Sequence, residues 1–223
     1  MKAFSKYFNL FVVLSRAHLR SSDYRSVLGA LWSFVGPLLT FTVLYFIFVE
    51  RFGPHIPLFP SKLLAGIILL TFFYRVVAAM MQAVNYSQGI VVHSLTPSEI
   101  IFLSALSVPV VKFAVEITLF ISVTVMLATH QIPNIPLLFS IAVLFLLSSA
   151  GIGLWLGTLN SIASDTNEVW MALSPLLMFT SPIFYSLDML SPWGRSLVFW
   201  INPLTPYILC YQTIISGEAV PYF

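Results

Sequence analysis

Between Leu31 and Val49 the chain runs without one charged side chain, and it does so again from Ile135 to Leu159 and from Val169 to Tyr185. Two further apolar stretches carry almost none: Leu63 to Val84 holds Arg75, and Ile101 to Ala128 holds Lys112 and Glu116. A helix needs about 20 predominantly apolar residues to cross the ~30 Å hydrocarbon core of a bilayer. In lipid every backbone N–H and C=O must be satisfied within the segment, so isolated spans of this kind are helical. Composition agrees: only 8% of the 223 residues are charged, against about 25% in soluble domains. The expected fold is an all-α polytopic membrane protein. It forms a single transmembrane domain over 1–223, with five visible spans at 31–49, 63–84, 101–128, 135–159 and 169–185.

The links follow from their breakers. Glu50 to Ser61 holds Gly53, Pro54, Pro57 and Pro60 and reads as a loop. Asn85 to Glu99, His130 to Asn134 and Ser161 to Glu168 are polar returns. Residues 1–25 read as an amphipathic helix lying at the membrane interface. Lys2, Lys6, Asn9, Arg16 and Arg20 fall on one stripe, with Phe4, Tyr7, Phe8, Phe11 and Val12 on another. Basic residues before the first span, Lys2 to Arg25, place that end in the cytoplasm. Residues 186–206, with Trp193, Trp200 and three prolines, are too polar to span and too apolar for a plain loop. They are expected to be an external re-entrant segment. Beyond them Tyr207 to Ile215 is too short to cross.

Several functions are excluded at this level. A net charge of +2 leaves no nucleic-acid footprint. A lone cysteine, Cys210, and four scattered histidines give no metal-ligand spacing. There is no phosphate-binding glycine loop and no catalytic triad pattern, so the chain is expected to be a transport subunit rather than an enzyme.

Three motifs in order carry a resemblance. Asp23-Tyr24-Arg25-Ser26-Val27-Leu28-Gly29-Ala30-Leu31-Trp32 leads to Gly36-Pro37-Leu38, Ser181-Pro182-Ile183-Phe184-Tyr185 precedes Met189, and Ile201-Asn202-Pro203-Leu204 follows. Together they resemble the permease subunits of type-2 ABC exporters for O-antigen, capsule and teichoic acid. The resemblance implies a homodimer in the bacterial cytoplasmic (inner) membrane that moves a lipid-linked polysaccharide. It also implies a separate nucleotide-binding subunit that holds Mg-ATP, with no cofactor in this chain. The family has six spans, the last after the Asn-Pro motif, so a further apolar stretch is expected beyond Phe223. The family's cytoplasmic link often carries a basic pair, which Val91 to Pro97 lacks. A permease for a drug or other small lipid-like molecule is the nearest alternative. A secondary transporter would show an inverted repeat, and an intramembrane enzyme would show clustered polar groups at one depth; neither pattern is present.

Within that frame four sets of residues stand out. Phe34, Phe41, Tyr45, Phe48 and Phe52 share one face of the first span, either as a flat aromatic path for sugars or as packing and lipid-facing rings. Arg75, Lys112 and Glu116 are intramembrane charges, with Lys112 and Arg75 competing for Glu116. Pro182, Tyr185, Met189 and Trp193 mark an external gate of two short helices. Tyr86, Ile90, Val91 and Leu95 fall together at three- and four-residue spacing on a short coupling helix, which also carries Gln88 and His93 and would dock in a groove of the ATPase; a solvated loop is the other reading. The pair Gly151 and Gly153 marks a close helix contact.

Overall fold

The computed structural model describes residues 2–22, 31–52, 56, 58–91, 96–127 and 134–216. Among them every regular element is helical. An N-terminal helix α1 (Lys2–Ser22) precedes α2 (Trp32–Phe52), α3 (Phe59–Val91), the pair α4 (Ser98–Ala105) and α5 (Ser107–Leu127), and α6 (Ile135–Ile162). Four stretches here are long and apolar enough to cross a bilayer: Trp32–Glu50, Phe59–Ser87, Ser98–Ser122 and Ile135–Ile162. Then come α7 (Asp165–Thr180), a 3-10 turn at Leu187–Met189, α8 (Pro192–Ile201) and α9 (Thr205–Ser216).

Prolines and small polar caps set most of these limits. Asn134 accepts a hydrogen bond from the Leu137 N–H at 3.2 Å, and Pro136 sits in the first turn of α6, where its missing N–H costs nothing. Ser191 does the same for α8, accepting from the Gly194 N–H at 3.2 Å ahead of Pro192. Pro109 cannot donate to the Ala105 carbonyl, and the span expected over 101–128 as one helix is divided at Leu106. Ser181, held extended at φ −87°, ψ 140° by the proline that follows, ends α7 at Thr180 rather than Tyr185. The expected fifth span is therefore a 16-residue helix, about 24 Å long at 1.5 Å per residue.

The centre of the bundle is α3, which touches α2, α4, α5, α6 and α9. Leu63, Ile68, Leu69, Val76 and Val77 along it are fully or almost fully buried. Its end also departs from expectation. The helix does not stop at Val84 but continues through Val91. The intervening Gly89 is the only strong breaker there, and one interior glycine costs a helix only about 1 kcal/mol.

The tightest packing is between α3 and α6. A Cβ on Gly153 would lie 2.7 Å from Met80 Cβ and 3.0 Å from Val77 Cα; one on Gly157 would lie 2.9 Å from Val84 Cγ2. Residue numbers rise together across these contacts, so α3 and α6 run parallel. The small-residue contact is thus Gly153 with Gly157, four apart, and Gly151 faces open space. Gly153→Val should lower stability by about 1–3 kcal/mol through forced overpacking, while Gly151→Val should leave it nearly unchanged. Thermal unfolding of both variants in one detergent separates them, and equal losses would dissolve the distinction.

Candidate functional site

Two polar clusters interrupt the apolar bundle, one at the middle of α3 and one toward its Phe59 end. The first begins with a proline. Pro37 in α2 has no N–H to give the carbonyl four residues before it, that of Ser33. Arg75 of α3 donates from Nη2 to that carbonyl at 3.1 Å. Its other terminal nitrogen, Nη1, donates to Oε1 of Glu116 on α5. Glu116 is completely buried. One guanidinium thus joins three helices, using the planar fork that lysine lacks. The competition for Glu116 is resolved toward Arg75. Lys112 adds its field to Glu116 from the same helix without an ion pair. Arg75 also lies level with the first turn of α2, near one end of that span and not at its middle. The desolvation expected of a charge at the bilayer centre is correspondingly relieved.

At the opposite end of the bundle, two of the sequence motifs meet. Asn202 is buried, and its Nδ2 donates to Ser181 Oγ at 2.9 Å and to Thr180 Oγ1 at 3.1 Å. Its Oδ1 accepts from the Leu204 N–H at 2.9 Å, closing the tight turn that Asn-Pro sequences favour. Gln212 of α9 donates to the Pro182 carbonyl at 3.0 Å, and Tyr211 donates to the Leu138 carbonyl at 3.1 Å. On α9, Tyr207 lies against Phe145 and Tyr211 against Leu138, so α9 runs antiparallel to α6. The turn at Asn202 is consequently the deep tip of an α8–α9 hairpin. The returning arm is α9, a stretch that by length alone reads as too short to matter. Leu204, Ile208 and Tyr211 bury it against α3 and α6.

The other sequence candidates are dispersed. Pro182 is buried and Tyr185 half-buried, its hydroxyl donating to the Thr180 carbonyl at 3.1 Å. Met189 and Trp193 stand exposed, within the stretch closed by the Asp188–Arg195 ion pair at 3.2 Å. Phe34, Phe41, Tyr45 and Phe48 are half-buried against the core, with Phe48 stacked on Phe184 at 4.8 Å. The outward face of α2 is instead Leu39, Val43, Phe46 and Ile47. The side chain of Phe52 lies outside the described residues. Tyr86 is exposed near the end of α3. Gln88, Ile90 and Val91 belong to that same helix, so no separate helix begins between 85 and 91; their side chains, with His93 and Leu95, lie outside the described residues.

Sequence reasoning passed over Ser33, Asn202 and Gln212 as site residues. The signal for the first was Pro37, which frees a carbonyl, and for the second an Asn-Pro pair inside an apolar segment. Arg75→Ala strands the buried Glu116 and should cost about 3–5 kcal/mol. The double replacement Arg75→Met, Glu116→Leu should recover a large part of it. Unfolding midpoints of the two variants decide, and a double variant as unstable as the single would show the pair to be uncoupled. Asn202→Ala removes the tip's hydrogen bonds and should speed limited proteolysis within 186–204; unchanged cleavage would show the tip to be held by packing alone.

The sequence is similar to those of known proteins. The chain is 26% identical over 219 residues to an "O-antigen export system permease protein RfbA" of Klebsiella pneumoniae, covering 96% of this chain and 83% of that protein. A protein of the same name from Myxococcus xanthus is 23% identical over 220 residues, 97% of this chain and 84% of that one. The ABC-2 type transporter family pattern matches residues 9–215, from within α1 to the end of α9. Lipid-solvated helices, the motif positions and this end-to-end match agree, and the chain belongs to the ABC-2 type transporter family.

Proposed function

We propose that this chain is the membrane-spanning permease subunit of an ATP-driven exporter that moves a lipid-linked polysaccharide across the bacterial inner membrane. The observation that carries the reading is the correspondence, over 96–97% of the chain, to permeases named for O-antigen export. Hydrolysis of Mg-ATP falls to a separate nucleotide-binding subunit, and two copies of this chain form the pathway. The basic residues of α1, Lys2, Lys6, Arg16 and Arg20, put that helix and the start of α2 on the cytoplasmic side. The α8–α9 hairpin then enters from the outer face, and Pro182 and Tyr185 beside its tip belong to an external gate. The half-buried aromatic stripe on α2 would border the sugar path only where its rings open away from Phe184.

The end of α3 beyond Tyr86 is the ATPase contact in this reading. It is the continuation of the most buried helix in the bundle, so a push there moves the core directly. Cysteines placed at Gln88 and His93 should crosslink to the co-expressed ATPase subunit in an active complex. Failure at both positions would move the contact to the Ser161–Glu168 link or to α1.

Export itself is tested by deleting the gene in its own bacterium. Loss of surface polysaccharide, with lipid-linked polymer accumulating inside and restored by the wild-type copy, is the expected result. Normal surface polysaccharide in the deletion strain would refute the function.

A further inference from the structure

Between α1, α3 and the α4–α5 pair lies a cavity of about 650 Å³. Its charge is one-sided. Arg75 and Lys112 line it, joined by His18 from α1 and Gln82 from α3, and no acidic side chain does so among the described residues. Glu116 forms its ion pair with Arg75 and meets Lys112 only through its field, so one carboxylate stands against two cations. Lys112 has no hydrogen bond or ion pair within the described residues, although it is half-buried. A half-buried ammonium whose one acidic neighbour is already paired with Arg75, in a walled space of small-ligand size, calls for an anion.

The level of the cavity narrows which anion. Arg75 is bonded to the first turn of α2, and the last turn of α1 reaches the same cavity through Ser21. That level is the membrane boundary on the side where α1 lies. Leu10, Leu14 and Ala79 give the rest of the wall an apolar surface. A site with a cation at the boundary and an apolar wall fits a phosphate group carried on a hydrocarbon chain.

We propose that this cavity binds the phosphate of a lipid from the leaflet on which α1 lies. Lys112 is the main charge partner, Gln82 a hydrogen-bond donor, and Leu10 and Leu14 the contact for the first methylenes. The site lies within one copy of the chain and does not depend on which polymer is exported. A phospholipid headgroup and a polyprenyl phosphate offer the same chemistry.

The test is native mass spectrometry of the purified full chain in detergent, titrated with four probes. Phosphatidylglycerol is compared with diacylglycerol, and a polyprenyl phosphate with the corresponding polyprenol. The phosphate-bearing member of at least one pair should be retained roughly tenfold more tightly, about the worth of one charge-assisted contact. Lys112→Gln should abolish most of that preference. Ala79→Trp, which takes up part of the cavity without changing charge, should do the same. Arg20→Gln, on the exposed face of α1 and outside the cavity, should preserve it. A stronger effect for phosphatidylglycerol assigns the site to bulk lipid, and a stronger one for the polyprenyl phosphate to a carrier lipid. Equal retention of phosphate-bearing and phosphate-free lipids, or wild-type preference in both Lys112→Gln and Ala79→Trp, overturns the proposal.

Discussion

Pro37 removes one N–H from the ladder of α2, and the open carbonyl it leaves on Ser33 is met by Arg75 from α3. In a bundle of apolar helices such a carbonyl is met by a donor from a neighbouring helix. The donor brings a charge, and the charge brings Glu116 from α5. Three helices are thus held in one register by a chain of needs that starts from a missing hydrogen. Apolar side chains alone specify such a register poorly, because lipid tails solvate them as well as other helices do. The small-residue contact of Gly153 and Gly157 then fixes α6 against the other side of α3.

A second polar seam works by the same logic without net charge. Asn202 can turn the chain deep in the bundle only because Ser181 and Thr180 accept from its amide, and because its own oxygen takes the Leu204 N–H. Gln212 meets the Pro182 carbonyl on the other arm. The irregular backbone at membrane depth is therefore enclosed in protein, the condition under which such backbone is tolerated. This explains why motifs twenty residues apart in sequence belong together: they are two halves of one hydrogen-bonded joint.

How far the sequence could be read follows the same division. Runs such as Leu31 to Val49 and Ile135 to Leu159 announce their helices because lipid solvation is written directly into composition. That the N-terminal segment is a helix was legible from the alternation of Lys6, Asn9 and Arg16 with Tyr7, Phe8 and Phe11. Its faces were less so: Tyr7 and Phe8 are exposed, and Leu10, Leu14 and Ser15 turn toward the bundle. What hid was whatever depends on a second helix. Lys112 stands four residues from Glu116 and was as good a partner on paper as Arg75. Phe48 on an open stripe looked the same as Phe48 stacked on Phe184. The run Tyr207 to Ile215 lacks the length of a span, and its burial comes from α3 and α6 rather than from its own pattern.

One proportion of α3 carries a mechanical consequence. The helix runs from Phe59 to Val91, and Arg75 lies sixteen residues from either end. At 1.5 Å per residue each arm is about 24 Å long. The guanidinium bonded to α2 and α5 is therefore a fulcrum at the midpoint of a balanced beam. A tilt about it carries the two ends through equal distances in opposite directions, with no gain and no loss of stroke. Gly66 on the arm toward Phe59 rests directly on Ile183, so close that a Cβ there would lie 2.9 Å from it. Gly66 is nine residues from Arg75 against sixteen for Val91, so a tilt about that point would reach the joint where Ser181 holds Asn202 reversed and cut to a little over half.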